Sequence, residues 1–259
     1  MEYFLASFDF DGTIANTFEP SPQGLGIYEV HDLVIEKMFG ERGLEVYRRT
    51  GGLQNMAPSE LVASLLENLD SSLNFEETLE DFVGKKLKIY MTQIGTRFPN
   101  GQVWPRPTTG FLDFWQALEN KDLCISTAII SSGHRDFIER TFEVWDTKVP
   151  DILVTEETIR ERHYPVPLEA MFKPGLLPFA LAHRAWLGSK DISARSSKKN
   201  VVYFGDDPKK DLEMARRAGI AFGLYTQKPQ EEVGYGFSFS NWDIITQKLK
   251  TRQILVQAA

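Results

Sequence analysis

The sequence predicts an α/β protein in which a parallel sheet flanked by helices contains an inserted α-helical domain. After about residue 105, apolar runs of strand length alternate with amphipathic helices, and this alternation implies right-handed crossovers between parallel strands. Two segments containing Pro and Gly, at about 16–27 and 95–110, enclose a stretch whose apolar residues recur at helical spacing. We therefore expect an α/β core of residues 1–17 and 105–259 and a helical domain of residues 18–104.

The positions of the apolar residues predict the individual elements. An apolar run at 3–7 predicts the first strand, and later runs predict strands at 124–130, 152–154, 201–204 and 221–225. Between these runs, helical spacing of apolar residues predicts helices at 135–144, 176–187 and 209–218. The segment after about residue 227 is expected to end as an amphipathic helix. Ligands bind beyond the carboxyl ends of the strands in such sheets, so functional residues are expected there.

Composition and charge disfavour several classes of partner. The 259 residues carry a formal net charge of −7, which disfavours nonspecific binding to nucleic acid or to an anionic membrane. No apolar run approaches the roughly 20 residues that span a bilayer. The sequence opens directly into a strand without a preceding basic region. We therefore expect a cytoplasmic protein with neither a nucleic-acid nor a membrane partner, and its oligomeric state stays open.

Two carboxylates, Asp9 and Asp11, follow the first expected strand in the run FDFDGTI at 8–14. Side chains alternate along a strand, so the two project from the same side. Two acids held this close repel each other unless a cation or a shared proton compensates. The pair therefore suggests a metal-bound nucleophile beside an acid or base, and the alternative is an acidic turn that ends the strand.

Polar residues also follow later strands. Ser131 and Ser132 come after the 124–130 strand at the start of a helix, where hydroxyl and amide groups can hold an anion or simply cap the helix. Lys173 precedes another helix, as a mobile cation or an ordinary surface lysine. Asp206 follows the 201–204 strand and could bind a hard cation through its carboxylate oxygens. Asp211 could support this ligand or could, like Asp207, simply cap a helix.

The order of these signals resembles the four motifs of the haloacid dehalogenase-like hydrolase superfamily. The motifs are Asp-x-Asp-Gly-Thr at the first strand, a Ser after a strand, a Lys before a helix, and Gly-Asp-x-x-x-x-Asp after a strand. The resemblance covers about residues 1–15 and 105–230 and implies a Rossmann-like parallel sheet. The helical insertion is similar in position and size to the C1-type cap domain of the phosphoglycolate phosphatase-like and β-phosphoglucomutase-like members.

The resemblance implies roles for three catalytic residues. Asp9 would attack phosphorus to form an aspartyl-phosphate. Asp11 would protonate the leaving oxygen and then deprotonate the water that hydrolyses this intermediate. Lys173 would pair with the nucleophile and the phosphate and offset the charge that develops on them.

The resemblance also implies the binding residues and one cofactor, Mg²⁺. The substrate phosphate would be bound by Gly12, Ser131, Ser132 and Lys173. The metal ligands would be Asp9, the Asp11 backbone carbonyl and Asp206, with Asp211 supporting them from the second shell.

These roles imply a Mg²⁺-dependent phosphatase that hydrolyses a small phosphorylated metabolite. The acid at Asp11 disfavours carbon–halogen cleavage, because dehalogenase members of the superfamily do not keep an acid there. A phosphomutase or phosphotransferase of the same superfamily would use the same residues, with a sugar hydroxyl replacing water as acceptor. A non-catalytic member that binds a phosphorylated ligand or a protein is a further alternative.

Overall fold

Six parallel strands form the central sheet, and the predicted α/β class is confirmed. The computed structural model describes residues 3–49, 56–69, 71–162, 167–189, 198–229 and 236–250. Parts of the expected helical domain, at 50–55 and 70, and the residues after 250 lie outside this range. The strands are β1 (Phe4–Phe8), β2 (Ala15–Asn16), β3 (Arg106–Pro107), β4 (Ile125–Ile130), β5 (Ile152–Val154), β6 (Val201–Gly205), β7 (Ala221–Tyr225) and β8 (Gly236–Phe239).

The strand order of the central sheet is β5-β4-β1-β6-β7-β8. From β1 the chain first builds outward through β4 and β5, and it then crosses to the other side of β1 to build β6, β7 and β8. The direction of winding therefore reverses at β1, whose carboxyl end lies between those of β4 and β6. Open α/β sheets bind their ligands at such a switch point.

The chain divides into two compact units, and the first contains the sheet. It comprises residues 1–16, 107–131 and 146–259. Its helices are α4 (Phe111–Leu118), α6 (Glu156–Glu161), α7 (Leu168–Met171), α8 (Leu177–Ser189), α9 (Glu213–Ala218) and α10 (Trp242–Lys250), and a π-helical turn at Pro208–Leu212 precedes α9. None of the helices in the described part of the chain is long and apolar enough to span a bilayer.

An aromatic core lies on one face of this sheet. Phe8 of β1 and Phe204 of β6 are partners in register, and their ring centroids stack 5.2 Å apart. Phe114 of α4 and Trp242 of α10 stack at 4.7 Å and cover this pair. Because side chains alternate along a strand, the neighbouring register partners Ser7 and Tyr203 belong to the opposite face.

The second unit is mainly helical and comprises residues 17–106 and 132–145. Its helices are α1 (Ile27–Arg49, kinked at Gly40), α2 (Pro58–Asn68), α3 (Phe75–Gln93) and α5 (Arg135–Val144). Helix α5 packs on α3, with the Tyr90 and Phe137 ring centroids 4.9 Å apart. The Trp145 indole also donates to the carbonyl oxygen of Pro105 at 2.8 Å. The assignment of residues 105–259 to the core stays a prediction.

A buried histidine lies inside this helical unit. His31 is 4% exposed, and its Nδ1 is 3.2 Å from the hydroxyl oxygen of Tyr47. The Phe82 ring packs beside the imidazole, with centroids 6.1 Å apart. Burial, together with the charge of Lys86, lowers the pKa of His31 well below its usual value of 6.5. His31 is therefore neutral in the folded protein at neutral pH.

This histidine should make the stability of the helical unit depend on pH. Below pH 6.5 the unfolded chain binds a proton at His31 that the folded chain does not bind, so lowering the pH favours unfolding. The loss is about 1.4 kcal/mol per pH unit below that value. Thermal unfolding at pH 7.5 and 5.5 should show a smaller pH effect in His31→Gln than in the wild type. Equal pH effects in His31→Gln and in the wild type would contradict the prediction.

Candidate active site

Asp9 lies directly beyond the carboxyl end of β1, at the switch point of the sheet. Its backbone N–H donates to the carbonyl oxygen of Phe204 at 2.8 Å, which continues the pairing with β6 and fixes the direction of the next residues. The Asp9 side chain is 13% exposed. The sheet therefore presents a largely buried carboxylate at the edge where ligands of this fold class bind.

A tight turn follows Asp9 and contains Asp11 and Gly12. Gly12 has a φ of 77°, a left-handed conformation that favours glycine. Its N–H donates to the carbonyl oxygen of Ala15 at 2.9 Å, and Asp11 and Ala15 form an isolated β-bridge. The structure thus gives Gly12 a role in the turn, and its role in phosphate binding stays a prediction, as does the acid–base role of Asp11.

Lys173 connects the first and last acidic segments of the site. It lies between α7 and α8, and its side chain is 10% exposed. The ammonium group donates to Asp9 Oδ1 at 2.6 Å, to Asp211 Oδ1 at 2.7 Å and to the Tyr203 hydroxyl oxygen at 3.1 Å. Burial alone would lower the pKa of Lys173, but Asp211 and Asp9 together raise it well above its usual value. Lys173 is therefore a buried cation and not a surface lysine.

Asp206 and Asp211 approach this lysine from the segment after β6. Asp211 lies in the π-helical turn, is fully buried, and accepts from the Asp207 N–H at 3.1 Å. A Cβ atom at Gly205 would lie 2.3 Å from Asp211 Oδ2, so only glycine permits this approach. Asp207 itself accepts from the N–H groups of Lys209 and Lys210, so the structure confirms its predicted capping role.

Thr13 joins the first motif to the last. Its hydroxyl donates to Asp206 Oδ1 at 3.0 Å, and the threonine side chain is fully buried. This bond spans 193 positions in the sequence. It stabilises the turn after β1 against the segment after β6 and thereby fixes where the Asp206 carboxylate lies.

The carboxylate cluster has the donor set of a divalent cation site. One oxygen each of Asp9, Asp206 and Asp211 lies within 4.8 Å of the others. Burial raises the pKa of Asp9 well above its usual value; Lys173 opposes this shift, and the Asp211 and Asp206 charges add to it. Burial and the Asp211 charge raise the pKa of Asp206 to about 6. Lys173 pairs with Asp9 and Asp211, so the cluster of three carboxylates carries more negative charge than this ammonium group offsets, and a hard cation that binds oxygen ligands fits the excess.

Ser131 lies at the same edge of the sheet, whereas Ser132 belongs to the other compact unit. Ser131 directly follows β4, which pairs with β1 in parallel, and its backbone N–H donates to the carbonyl oxygen of Val154 at 3.1 Å. Ser132 falls in the helical unit, just before His134, which caps α5 by accepting from the Asp136 N–H at 3.2 Å. Phosphate binding by the two serines stays a prediction.

A comparison of the sequence with models of protein families identifies the family of this chain. A family model described as haloacid dehalogenase-like hydrolase matches residues 7–224. The chain belongs to this family. The predicted resemblance and the predicted class of enzyme, a haloacid dehalogenase-like hydrolase, are therefore confirmed.

Solved structures share this fold at low sequence identity. A haloacid dehalogenase-family phosphatase from Thermococcus onnurineus is 17% identical with a TM-score of 0.54, and the match covers 97% of each chain. CbbY from Rhodobacter sphaeroides, in complex with phosphate, is 16% identical with a TM-score of 0.59 and 93% and 95% coverage. The putative hydrolase YfnB from Bacillus subtilis, bound to magnesium, is 12% identical with a TM-score of 0.53 and 96% and 100% coverage. Among curated proteins, none matches the chain.

Two residues of this haloacid dehalogenase-like site are not predicted from the sequence. Thr13 lies within the first motif, but nothing in its sequence position indicates a bond to Asp206. Tyr203 lies in an apolar strand, and its hydroxyl contacts Lys173 and Asp211. A tyrosine three residues before Asp206, in a strand whose other residues are Val, Phe and Gly, is a signal for a buried hydroxyl that needs a partner.

Proposed function

We propose that the protein is a Mg²⁺-dependent phosphomonoesterase that hydrolyses a small phosphorylated metabolite through an aspartyl-phosphate on Asp9. The observation that supports this most is the buried ion pair between Lys173 and Asp9, 2.6 Å long, inside a cluster of three carboxylates. Such a site has a nucleophile, a counter-charge and an excess of negative charge for a metal. The proposal includes a cytoplasmic location, and it assigns residues 1–17 and 105–259 to the catalytic core and 18–104 to a C1-type cap domain.

Asp9 performs the first covalent step. Its carboxylate oxygen bonds to phosphorus as the bond from phosphorus to the ester oxygen breaks, and Asp11 donates a proton to that leaving oxygen. Lys173 orients the Asp9 carboxylate before attack and favours its ionised form, which opposes the effect of burial on the pKa of Asp9. It also offsets charge on the phosphoryl oxygens, to one of which the Ser131 hydroxyl donates.

Asp11 acts again in the second step. It accepts a proton from a water molecule whose oxygen bonds to phosphorus, and the bond from phosphorus to Asp9 breaks, which releases inorganic phosphate and restores the carboxylate. Mg²⁺, when bound, would neutralise the carboxylate cluster and polarise a phosphoryl oxygen. Asp9, the Asp11 backbone carbonyl and Asp206 would hold it, and Asp211 would support this set while it pairs with Lys173. Gly12 and Ser132 would contribute further groups for phosphate binding.

A panel of phosphorylated metabolites tests this function. With Mg²⁺ present, release of inorganic phosphate is expected for at least one small phosphomonoester, and EDTA should abolish it because the carboxylates then lack their counter-ion. Adding Mg²⁺ in excess of EDTA should restore the rate. The assay is followed by phosphate detection and by analysis of the organic product.

The two products distinguish the remaining alternatives. Phosphate released in equal amount to the dephosphorylated metabolite supports the phosphatase. Transfer of the phosphoryl group to a sugar hydroxyl, with no free phosphate, would favour the phosphomutase or phosphotransferase. Binding of phosphorylated compounds without any turnover would favour a non-catalytic member and contradict the proposal.

A further inference from the structure

The hydroxyl of Tyr203 lies at a junction of three segments of the α/β unit. Tyr203 is in β6 and is fully buried. Its hydroxyl oxygen is 3.1 Å from Lys173 Nζ, 3.2 Å from Asp211 Oδ1 and 3.4 Å from the carbonyl oxygen of Ile130, the last residue of β4. A buried hydroxyl is costly unless it is hydrogen-bonded, and each of these three groups lies within reach.

The donors and acceptors of this junction can be assigned from chemistry. An ammonium group has three N–H donors and no acceptor, and Lys173 has three oxygen partners, at Asp9, Asp211 and Tyr203. The Tyr203 oxygen must therefore accept from Lys173. Its own proton then points to Asp211 or to the Ile130 carbonyl. Lys173, Tyr203 and Asp211 form a closed triangle in which each polar atom contacts the other two.

Two residues of this triangle, Asp211 and Tyr203, do not take part in the proposed covalent steps. Asp211 and Tyr203 hold two of the three N–H groups of Lys173, which leaves the third for Asp9. The sheet register explains why the hydroxyl is available here: Tyr203 lies on the face opposite the aromatic core that Phe204 joins.

We propose that Tyr203 is a positioning residue: together with Asp211, its hydroxyl fixes the Lys173 ammonium so that one N–H is directed at the nucleophile Asp9. The inference rests on the proposed phosphomonoesterase function, and it adds to it a residue outside the four motifs. Removing the hydroxyl leaves the ammonium with one fixed partner besides Asp9, so the direction of its third N–H is no longer determined.

Tyr203→Phe tests the kinetic consequence, because it removes only the hydroxyl oxygen. We expect kcat for a phosphomonoester to fall about 10- to 100-fold, the effect of a small displacement of a catalytic group, while KM changes less than about 3-fold. The matched control is Tyr225→Phe, which removes a hydroxyl from a buried tyrosine of the adjacent strand β7. It should keep the wild-type kcat. An unchanged kcat in Tyr203→Phe, or an equal loss in both variants, would overturn the proposal.

The ammonium group of Lys173 gives a second readout that does not need activity. In ¹⁵N-labelled protein a buried, fully bonded ammonium exchanges slowly with water and gives a side-chain NMR signal, assigned by its loss in Lys173→Arg. We expect this signal to shift and broaden in Tyr203→Phe and to persist in Tyr225→Phe. A signal unaffected by Tyr203→Phe overturns the positioning role even if the enzyme is an active phosphatase. If no phosphomonoester is hydrolysed, the proposed function fails, and the NMR result still decides the positioning role.

Discussion

Asp9→Asn should lower kcat for phosphomonoester hydrolysis by at least about 10⁴-fold, the scale on which loss of a nucleophile acts. The amide has nearly the shape of the carboxylate and leaves the turn after β1 in place, but it cannot form the aspartyl-phosphate. Quenching a reaction with ³²P-labelled substrate should trap a phosphoenzyme in the wild type and none in the variant. Full activity in Asp9→Asn would rule out the proposed mechanism.

The same variant should be more stable than the wild type when no metal is present. Burial raises the pKa of Asp9 well above 3.8, with Lys173 opposing and Asp211 and Asp206 adding to the shift. The folded wild type is therefore stabilised by the protonated carboxyl at low pH, and this stabilisation is lost as pH rises through the folded-state pKa. Asn carries no charge at any pH, so the stability of the variant relative to the wild type should grow as the pH rises.

Thermal unfolding in EDTA between pH 4 and pH 8 measures this effect. Asp113→Asn, in the exposed first turn of α4, is the matched control for replacing an aspartate and should leave the activity unchanged. Stability lost in Asp9→Asn at every pH would mean that the Asp9 carboxylate stabilises the fold. Such a result would contradict the interpretation that the charges needed for catalysis lower the stability of the fold at this site.

Much of the sheet could be predicted because its strands are short apolar runs between recognisable turns. The expected strands at 152–154 and 221–225 and the helix at 135–144 have the observed bounds. The helix expected at 209–218 instead begins as a π-helical turn, Pro208–Leu212, before α9. That wider turn contains Asp211, whose approach to Gly205 depends on tertiary contacts that local periodicity does not report.

The edge strand β8 is one of the elements missing from the prediction, as are the short helices α4, α6 and α7. Residues 236–239 read Gly-Phe-Ser-Phe, a period of two over only four residues, too short to compete with the helical pattern of α10 that follows. Its position is set by pairing with β7, where Tyr225 and Phe239 are partners in register. Such a long-range partner has no local signature.

In the site as well, the motifs predict which residues meet, but they do not predict every contact between them. The order of Asp9, Lys173 and Asp206 in the chain indicated that they would meet, and the structure places Asp9 and Lys173 in one ion pair. Asp211 was expected to support a metal from the second shell. Its bond to Lys173 at 2.7 Å and its oxygen in the carboxylate cluster give it two partners at once. Asp211 makes both contacts because the segments that contain Asp9, Lys173 and Asp206 come together in the fold. No single segment of the sequence encodes that arrangement.

Lys173→Met should damage both stability and catalysis. Met keeps the length and apolar body of the side chain but removes the cation, and it leaves Asp9 and Asp211 as buried charges without their partner. Breaking a buried pair in this way costs about 3–5 kcal/mol of the free energy of unfolding. We expect kcat to fall about 10²- to 10³-fold as well, because the charge that develops on the phosphoryl group loses its counter-charge. Chemical denaturation and steady-state kinetics measure the two effects.

A double variant separates these two consequences of losing Lys173. Adding Asp211→Asn to Lys173→Met removes one of the stranded charges, so part of the lost stability should return, whereas kcat should not. Lys209→Met, on the exposed side of the same π-helical turn, controls for removing a lysine near the site. If the double variant were no more stable than Lys173→Met, charge imbalance would not be the source of the instability. The contacts at 2.6 and 2.7 Å would then serve only to orient the lysine. Recovery of stability without activity would show that Lys173 both neutralises the buried carboxylates and acts on the substrate.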